Sequence, residues 1–182
     1  MFRHIIDEDV ELRLLEIWNS QEMFNLIDSS RDHLRKYLPW VDNTISVNDT
    51  RVFIESTKSK YAANNGFDAG IWYKGELAGV IGFHSINRTI KEISIGYWLN
   101  ERYLGNGIMT KACKELINFA FNNYKFNRIE IRCAEENLRS RAIPERLGFT
   151  KEGIIRDGEL LSDGYVNCVV YGLLKREWKT LG

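Results

Sequence analysis

A glycine-rich stretch, Leu104–Thr110, places the strongest constraint on what this chain can form. It follows a strand-like run, Glu92–Leu99, and opens a helical run that reaches about Tyr124. The first amides of a helix lack hydrogen-bond partners within the helix, and the helix dipole favours negative charge at that end. Gly105 and Gly107 can adopt backbone angles that other residues resist, and they let a ligand approach the main chain closely. The stretch therefore predicts an anion-binding site for a ligand that carries phosphate groups.

The glycine spacing excludes two familiar phosphate-binding motifs. The dinucleotide motif GxGxxG would need a glycine at Thr110, and the P-loop motif GxxxxGK[ST] does not occur in the chain. The sequence GNGIMT instead resembles the pyrophosphate loop of the GNAT family of N-acetyltransferases, whose pattern is Q/R-x-x-G-x-G/A. Two alignments are open: Arg102, Gly105 and Gly107 match literally, or Gly107 is the first glycine and Leu104 replaces the usual Gln or Arg. The alternative interpretation is a glycine turn that only begins a helix.

The resemblance implies that the loop binds acetyl-CoA as a cosubstrate. The form G-x-G-I-M-T is more similar to the branch of the family that acetylates the N-termini of ribosomal proteins. The implied coenzyme-binding residues of the loop are Leu104, Gly105, Asn106, Gly107, Ile108, Met109 and Thr110.

Length and composition limit the class of protein. At 182 residues the chain predicts one domain, residues 1–182, with room for a sizeable core. Its 25 basic residues balance 25 acidic ones, which argues against a nucleic-acid binder because such a protein needs a basic surface. No apolar run approaches the length of a membrane span, and the first residues, MFRH, do not resemble a signal peptide.

The three cysteines, Cys113, Cys133 and Cys168, indicate a reducing compartment. Their odd number and the lack of CxxC spacing argue against a disulfide framework or a zinc site. Cys133 and Cys168 lie in apolar strand-like runs, where small buried side chains are expected rather than nucleophiles. The three histidines have no spacing that suggests a metal site. We therefore expect a cytoplasmic protein that uses no metal.

Hydrophobic periodicity predicts one alternating set of strands and helices. Seven strands are predicted, over residues 10–16, 67–73, 77–85, 90–99, 127–134, 149–155 and 165–174. Helices are predicted over residues 20–37, in two pieces broken near Ser29–Ser30, over about 46–64, from the glycine loop to about 124, and over 138–147. Ser46 and Asp49 are spaced as in a capping box at the start of the helix over 46–64.

This order of elements resembles the GNAT fold. The resemblance implies an α+β fold, with a mixed, mostly antiparallel seven-stranded sheet and helices on both faces. In that family the sheet splays after the fourth strand, and the pantetheine arm of the coenzyme enters the gap. The implied lips of the gap are Tyr97–Leu99 and Arg132–Ala134.

A second segment extends the resemblance. Residues 137–140, N-L-R-S, and residues 145–149, E-R-L-G-F, resemble the family's N-x-x-S…E-x-x-G-F signature. The resemblance implies that Asn137 contacts the coenzyme arm and that Ser140 protonates the departing thiolate. The alternative interpretation makes Asn137 a helix N-cap and Ser140 a surface residue. The two roles of Asn137 are compatible.

A third segment, residues 152–174, resembles the ribosomal-protein branch, whose pattern contains a carboxylate, a G-x-Y turn and a closing Y-x-L-L. The resemblance implies that Glu159 is the general base. Asn167 stands where the branch usually has an aspartate, so no charge role is assigned to that position. The alternative interpretation of Glu159 is an exposed turn residue after a strand.

Aromatic residues are candidates for the acceptor side. Residues 33–42 resemble the acceptor-side helix and loop of the same branch. Four aromatic side chains could line an apolar mouth there: Trp40, Trp72, Trp98 and Tyr165. The alternative is that these aromatic side chains belong to the core.

The chemistry of acyl transfer favours one class of acceptor amine over another. The amine must lose a proton, the oxyanion needs a hydrogen-bond donor and the thiolate needs a proton. An α-amine, with a pKa near ~8, loses its proton more readily than a lysine near ~10.4. The chain offers few evident buried bases, which favours an α-amine. We expect the oxyanion donor to be a main-chain amide near Trp98 and Leu99, residues that would also contact the coenzyme.

The sequence thus predicts an N-acetyltransferase that transfers acetyl from acetyl-CoA to the N-terminal α-amine of a ribosomal protein, without a covalent enzyme intermediate. One alternative acceptor is a small amine, such as a polyamine, an amino acid or an aminoglycoside, for which Glu135, Glu136 and Asp157 could form an acidic mouth. Another alternative is a coenzyme-A-binding regulatory module without turnover, against which Ser140 and Glu159 argue. No nucleic-acid or membrane partner is expected.

Self-association into a homo-oligomer is also expected. The closing strand, residues 165–174, is apolar on both faces and comes late in the sheet. An uncovered edge strand of this kind would be a liability.

Overall fold

The computed structural model describes residues 3–178, which form one eight-stranded sheet with helices on both faces. The strands are β1 (Arg3–Ile5), β2 (Val10–Leu14), β3 (Asp68–Tyr73), β4 (Glu76–Asn87), β5 (Glu92–Leu99), β6 (Arg128–Ala134), β7 (Thr150–Leu161) and β8 (Gly164–Leu174). The helices are α1 (Ser20–Asp28), α2 (Arg31–Leu34), α3 (Val47–Ala62), α4 (Ile108–Asn122) and α5 (Leu138–Arg146). No helix among these residues is long and apolar enough to cross a membrane.

The sheet order is β1-β2-β3-β4-β5-β6-β8-β7, and every neighbouring pair is antiparallel except β5 and β6. The seven predicted strands are present, and the predicted α+β fold is confirmed. The structure adds an eighth strand, β1, at one edge. It escaped the periodicity test because three residues are too few to show alternation.

The position of β8 corrects one expectation. This strand pairs with β6 on one side and β7 on the other, so it is an interior strand and not an edge. Its apolar character follows from burial, because Val169, Tyr171 and Leu173 belong to the main core. The argument for self-association from an uncovered closing strand is therefore wrong, and β7 forms that end of the sheet.

Two hydrophobic cores form, one on each face of the sheet. The larger core packs the apolar side of α4 against the sheet, with Leu116, Ile117 and Phe121 fully buried. The smaller core packs α1 and α3 against the opposite face. Two predicted local features are confirmed: Ser46 and Asp49 form a capping box before α3, and the chain between α1 and α2 breaks at Ser29–Ser30.

The parallel pair β5–β6 opens into a wedge. The two strands pair only where Glu92–Ser94 meets Arg128–Glu130. From that point onward β5 pairs only with β4, and β6 pairs only with β8. The predicted splay of the sheet is confirmed, and it leaves main-chain groups of both strands free to meet an extended ligand.

Arg128 holds the closed end of the wedge. Its guanidinium donates to Glu92 at 2.6 Å, Glu130 at 2.8 Å and Glu152 at 2.7 Å, and so joins β5, β6 and β7. The guanidinium crosses β8 directly over Gly172, where a Cβ would clash with it. Residue 172, the variable position of the Y-x-L-L segment, is therefore glycine because Arg128 approaches the main chain closely there.

Candidate active site

The glycine loop lies at the open end of the wedge and leads directly into α4. Gly107 is the N-cap of α4 with φ of 70°, and Gly105 has φ of 81°. Nothing lies within 4 Å of the position that a Cβ would take at either glycine, so the space above the loop is open. The Asn106 side chain donates to the carbonyls of Tyr103 at 3.0 Å and Leu104 at 3.2 Å and fixes the shape of the loop. The first amides of α4 thus face an open pocket of about 740 Å³.

Basic side chains surround this pocket, and the sequence interpretation missed them. Lys111, Arg139 and Arg146 line it, and Arg146 Nη1 donates to Thr110 Oγ1 at 2.8 Å. Arg139 and Arg146 are seven residues apart, two turns on one face of α5, and that spacing was a usable signal. Free helix amides, two glycines and three cations fit a pyrophosphate group.

A cleft of about 600 Å³ fills the gap between the two splayed strands. Its walls include residues 96–99 of β5 and residues 132–134 of β6, the two lips that the sequence predicted. The cleft and the loop pocket share the side chains of Leu99, Leu104 and Met109. One continuous channel therefore runs from the glycine loop into the centre of the sheet.

Asn137 and Ser140 begin α5 at the wall of this cleft. The main-chain amide of Ser140 donates to Asn137 Oδ1 at 3.2 Å, so Asn137 is an N-cap. Ser140 Oγ lies 3.2 Å from Cys133 Sγ and 3.4 Å from Tyr97 Oη. The Tyr97 hydroxyl donates to the Ser140 carbonyl at 3.1 Å. Ser140 is therefore held inside the cleft and is not a free surface residue.

Burial keeps both neighbours of Ser140 in their neutral forms. It raises the pKa of the Tyr97 hydroxyl well above its usual range, and it also raises the pKa of the Cys133 thiol. All three cysteines are buried and free, and the predicted burial of Cys133 and Cys168 is confirmed. Tyr97 and Cys133 lie on the two predicted lips of the gap, but their contacts with Ser140 were not predicted, because these depend on the fold bringing β5, β6 and α5 together.

Glu159 lines the same cleft from β7. Its carboxylate is half-buried, with Oε2 4.0 Å from Cys168 Sγ, and burial raises its pKa. The sequence ended this strand at residue 155, but β7 continues to Leu161 and pairs Glu159 with Val166. The interpretation of Glu159 as a turn residue is therefore wrong.

His33 is a further group in the cleft, at the start of the predicted acceptor-side segment, and the sequence interpretation assigned its side chain no role. Burial lowers the pKa of its imidazole, so the ring is neutral near neutral pH. It reaches the cleft because α2 lies beside the open end of β5. Among residues 3–178, no group of three or more His, Cys, Asp or Glu side chains is placed to hold a metal ion.

The predicted acceptor aromatics separate into three environments. Trp98 lines the cleft, and the Trp40 ring packs against it with centroids 5.8 Å apart. Tyr165 is 67% exposed and lines a groove that adjoins the cleft. Trp72 does not reach the cleft: it is only 4% exposed in the smaller core, beneath the Arg13 guanidinium. The predicted role of Trp72 is corrected, because its strand position faces the core.

A mixed sheet that splays beside a glycine-rich helix N-terminus is the architecture of an acyl-CoA-dependent N-acyltransferase. The family described as acetyltransferase (GNAT) domain matches residues 2–150. The chain therefore belongs to the GNAT family, and it is an acetyl-CoA-dependent N-acetyltransferase.

Its relatives include enzymes named for ribosomal proteins. YdaF of Bacillus subtilis strain 168, provisionally named a ribosomal N-acetyltransferase, is 38% identical over 98% of this chain and 98% of YdaF. The ribosomal-protein-serine acetyltransferase of Escherichia coli K12 is 29% identical over 91% of this chain and 93% of the Escherichia coli chain. The solved structure of RimL, a ribosomal L7/L12 α-N-protein acetyltransferase in complex with coenzyme A, has a TM-score of 0.91 at 25% identity, covering 95% of this chain and 98% of that chain.

Proposed function

We propose that this enzyme acetylates the N-terminal α-amine of a ribosomal protein. The observation that carries the proposal is that Ser140 and Glu159, nineteen positions apart and on different elements, line one cleft. The names of the relatives support a ribosomal protein as the acceptor, and the α-N-protein activity named for RimL supports its N-terminal amine. The three buried cysteines without disulfides support a cytoplasmic location.

The channel supplies a binding surface for each part of acetyl-CoA. We assign the pyrophosphate to the amides of residues 105–110, with Arg139 and Arg146 as counter-charges. The arm would follow the free edge of β5 past Trp98 and Leu99 and contact Asn137. The coenzyme supplies an acetyl thioester, which needs no activation by a nucleophile of the protein.

The residues of the cleft can carry out direct transfer. Glu159 takes a proton from the acceptor ammonium through a water molecule, and its raised pKa improves the match to an amine. The neutral amine nitrogen attacks the thioester carbonyl, and a main-chain amide near Trp98 and Leu99 stabilises the oxyanion. The tetrahedral intermediate collapses with cleavage of the C–S bond. Ser140 donates a proton to the departing thiolate, and the proton that the attacking nitrogen loses as the amide forms returns through water to the Ser140 oxygen.

The shape of the acceptor side supports a peptide substrate. A groove of about 340 Å³ adjoins the cleft, and the two share Lys36, Tyr37 and Glu136 in their walls. The groove continues to the surface along the β7–β8 hairpin, where Tyr165 is exposed. A peptide with its amine at Glu159 could extend its following residues along this groove. A small amine would leave the groove empty.

A matched acceptor panel tests the proposal by coenzyme release. One peptide containing an internal lysine is offered with a free α-amine and with a blocked one, beside a polyamine, an amino acid and an aminoglycoside. We expect release only with the free α-amine peptide, and mass spectrometry should place the acetyl group on its first residue. Acetylation confined to lysine or to a small amine would overturn the proposed acceptor. Binding of coenzyme A without turnover on any acceptor would support the regulatory alternative.

A further inference from the structure

An irregular stretch of β7 sets the position of Glu159. Ile155 pairs with Cys168, and Glu159 pairs with Val166, so residues 156–158 of β7 face a single residue of β8. That single residue is Asn167. The stretch 156–158 is therefore a bulge with two extra residues, and Glu159 is the first residue that pairs after it.

The Asn167 side chain forms hydrogen bonds both to the bulge and to the segment that follows β6. Its Oδ1 accepts from the main-chain amide of Asp157, inside the bulge, at 3.1 Å. Its Nδ2 donates to Glu135 Oε2 at 2.9 Å. The Asn167 carbonyl also accepts from the Glu135 main-chain amide at 2.8 Å. Glu135 directly follows β6 and lies two residues before Asn137, so one amide links the bulge to the start of α5.

Few other contacts hold residues 156–158 in the bulged conformation. Asp157 has φ of 50°, a left-handed conformation that costs energy for a residue with a side chain. Gly158 packs so closely that a Cβ would lie 3.1 Å from Cys168 and 3.2 Å from Ile155. Among the described residues, the bond from Asp157 to Asn167 is the one side-chain hydrogen bond to the main chain of the bulge.

We propose that Asn167 is a positioning residue, which fixes the Glu159 carboxylate relative to the Asn137–Ser140 turn. The inference rests on the proposed role of Glu159 as the base. The Asn167 amide satisfies both partners, because its oxygen accepts from the Asp157 main-chain amide and its nitrogen donates to the Glu135 carboxylate. An aspartate at 167 would place two carboxylates in contact, and like charges there would push the two segments apart.

A donor–acceptor exchange tests the geometry. We expect Asn167→Asp to lower kcat by about ten- to a hundredfold, because small displacements of a catalytic group have effects of that size. Adding Glu135→Gln restores a donor opposite Asp, and the double variant should recover to within about threefold of the parent. Glu135→Gln alone completes the double-mutant cycle. In all three variants the KM for acetyl-CoA should stay within about twofold of the parent value.

A second measurement needs no turnover. The pKa of Glu159 is followed by carboxyl ¹³C NMR titration in the parent and in Asn167→Ala, which adds no charge. Because burial raises this pKa, a released bulge should let it fall toward that of an exposed glutamate. The acidic limb of kcat should move to lower pH with it. Thermal unfolding of each variant confirms that the compared proteins are folded.

The outcomes separate the positioning role from the proposed function. An unchanged Glu159 pKa in folded Asn167→Ala, with kcat of both Asn167 variants within about threefold of the parent, would overturn the positioning role and leave the function intact. A shifted pKa supports the positioning role even if Glu159→Gln retains activity, and in that case only the assignment of the base fails.

Discussion

The hydroxyl oxygen of Ser140 lies 3.2 Å from the sulfur of Cys133, inside the wedge between β5 and β6. The thiol comes from the β6 lip, and the Tyr97 hydroxyl, 3.4 Å away, comes from the β5 lip. Ser140 therefore joins the two strands where the sheet has separated them. Both neighbours stay protonated because burial raises their pKa values, so neither removes the proton of Ser140.

Ser140→Ala should reduce kcat by roughly 10²-fold or more, because the thiolate loses its proton donor. The KM for the acceptor should change little. Stability should also change little, since the bond to Asn137 uses the main-chain amide of residue 140 and survives the substitution. Steady-state kinetics and thermal unfolding check both expectations. Ser59→Ala, on the exposed side of α3, is the control, and equal turnover in the two variants would contradict the role.

Glu159→Gln should lower turnover by roughly 10²–10⁴-fold with coenzyme affinity intact. In the parent, the rate should fall as pH decreases through the raised pKa of Glu159, because protonation removes the base. The variant should lack this acidic limb. pH–rate profiles test the expectation, with the exposed Glu8→Gln as control. Parent-like turnover in Glu159→Gln, with loss in His33→Ala, would assign the base to His33.

Glu159→Gln should also stabilise the folded protein at neutral pH. The folded-state pKa of Glu159 is raised, so the folded state binds this proton more tightly than the unfolded chain does. Ionised Glu159 therefore destabilises the protein above its folded pKa, and this penalty vanishes below the unfolded pKa. Thermal unfolding of Glu159→Gln should show a higher Tm than the parent at pH 7, and a difference that shrinks toward acidic pH. A lower Tm at pH 7 would contradict burial as the cause.

Gly107→Asp should weaken coenzyme A binding more than Gly107→Ala. Both side chains must adopt the left-handed φ of 70°, at a cost of about 1–2 kcal/mol, so the alanine variant measures strain alone. The aspartate adds like charge beside the pyrophosphate at the N-terminus of α4. We expect at least tenfold weaker binding than in Gly107→Ala, equivalent to about 1.4 kcal/mol. Calorimetry on the two folded variants decides, and equal affinities would refute the assigned pyrophosphate site.

Arg128→Met should destabilise the protein by about 3 kcal/mol. The Arg128 side chain is 18% exposed and pairs with three carboxylates, which the substitution leaves close together without a cation. Arg51→Met, at an exposed pair with Glu55, should cost no more than about 0.5 kcal/mol. Urea unfolding compares the two variants. A loss at Arg128 no larger than at Arg51 would show that the network does not hold the closed end of the wedge.

The fold was predictable because its signals are local. Period-two alternation marked seven of the eight strands, and the capping box of Ser46 and Asp49 marked the start of α3. The glycine loop was recognisable because its function depends on φ angles that glycine adopts readily. The N-x-x-S spacing of Asn137 and Ser140 was recognisable for a similar reason, since a single helical turn fixes their relation.

The remaining features depend on contacts between residues far apart in the chain. Trp72 faces the smaller core and not the cleft, because α1 and α3 cover its side of the sheet, and alternation alone does not tell which face a ligand occupies. β8 is an interior strand because it returns between β6 and β7, a position in the sheet that its apolar pattern does not specify.

The sequence by itself determined the family, the sheet with its helices and the place of the coenzyme loop, because each rests on short-range spacing. The tertiary structure decided the chemical environment of the site. Tyr97, Cys133 and Ser140 meet only because the splayed strands and α5 converge. The raised pKa of Glu159 arises because the fold half-buries its carboxylate in the cleft, and burial is a property of the assembled fold.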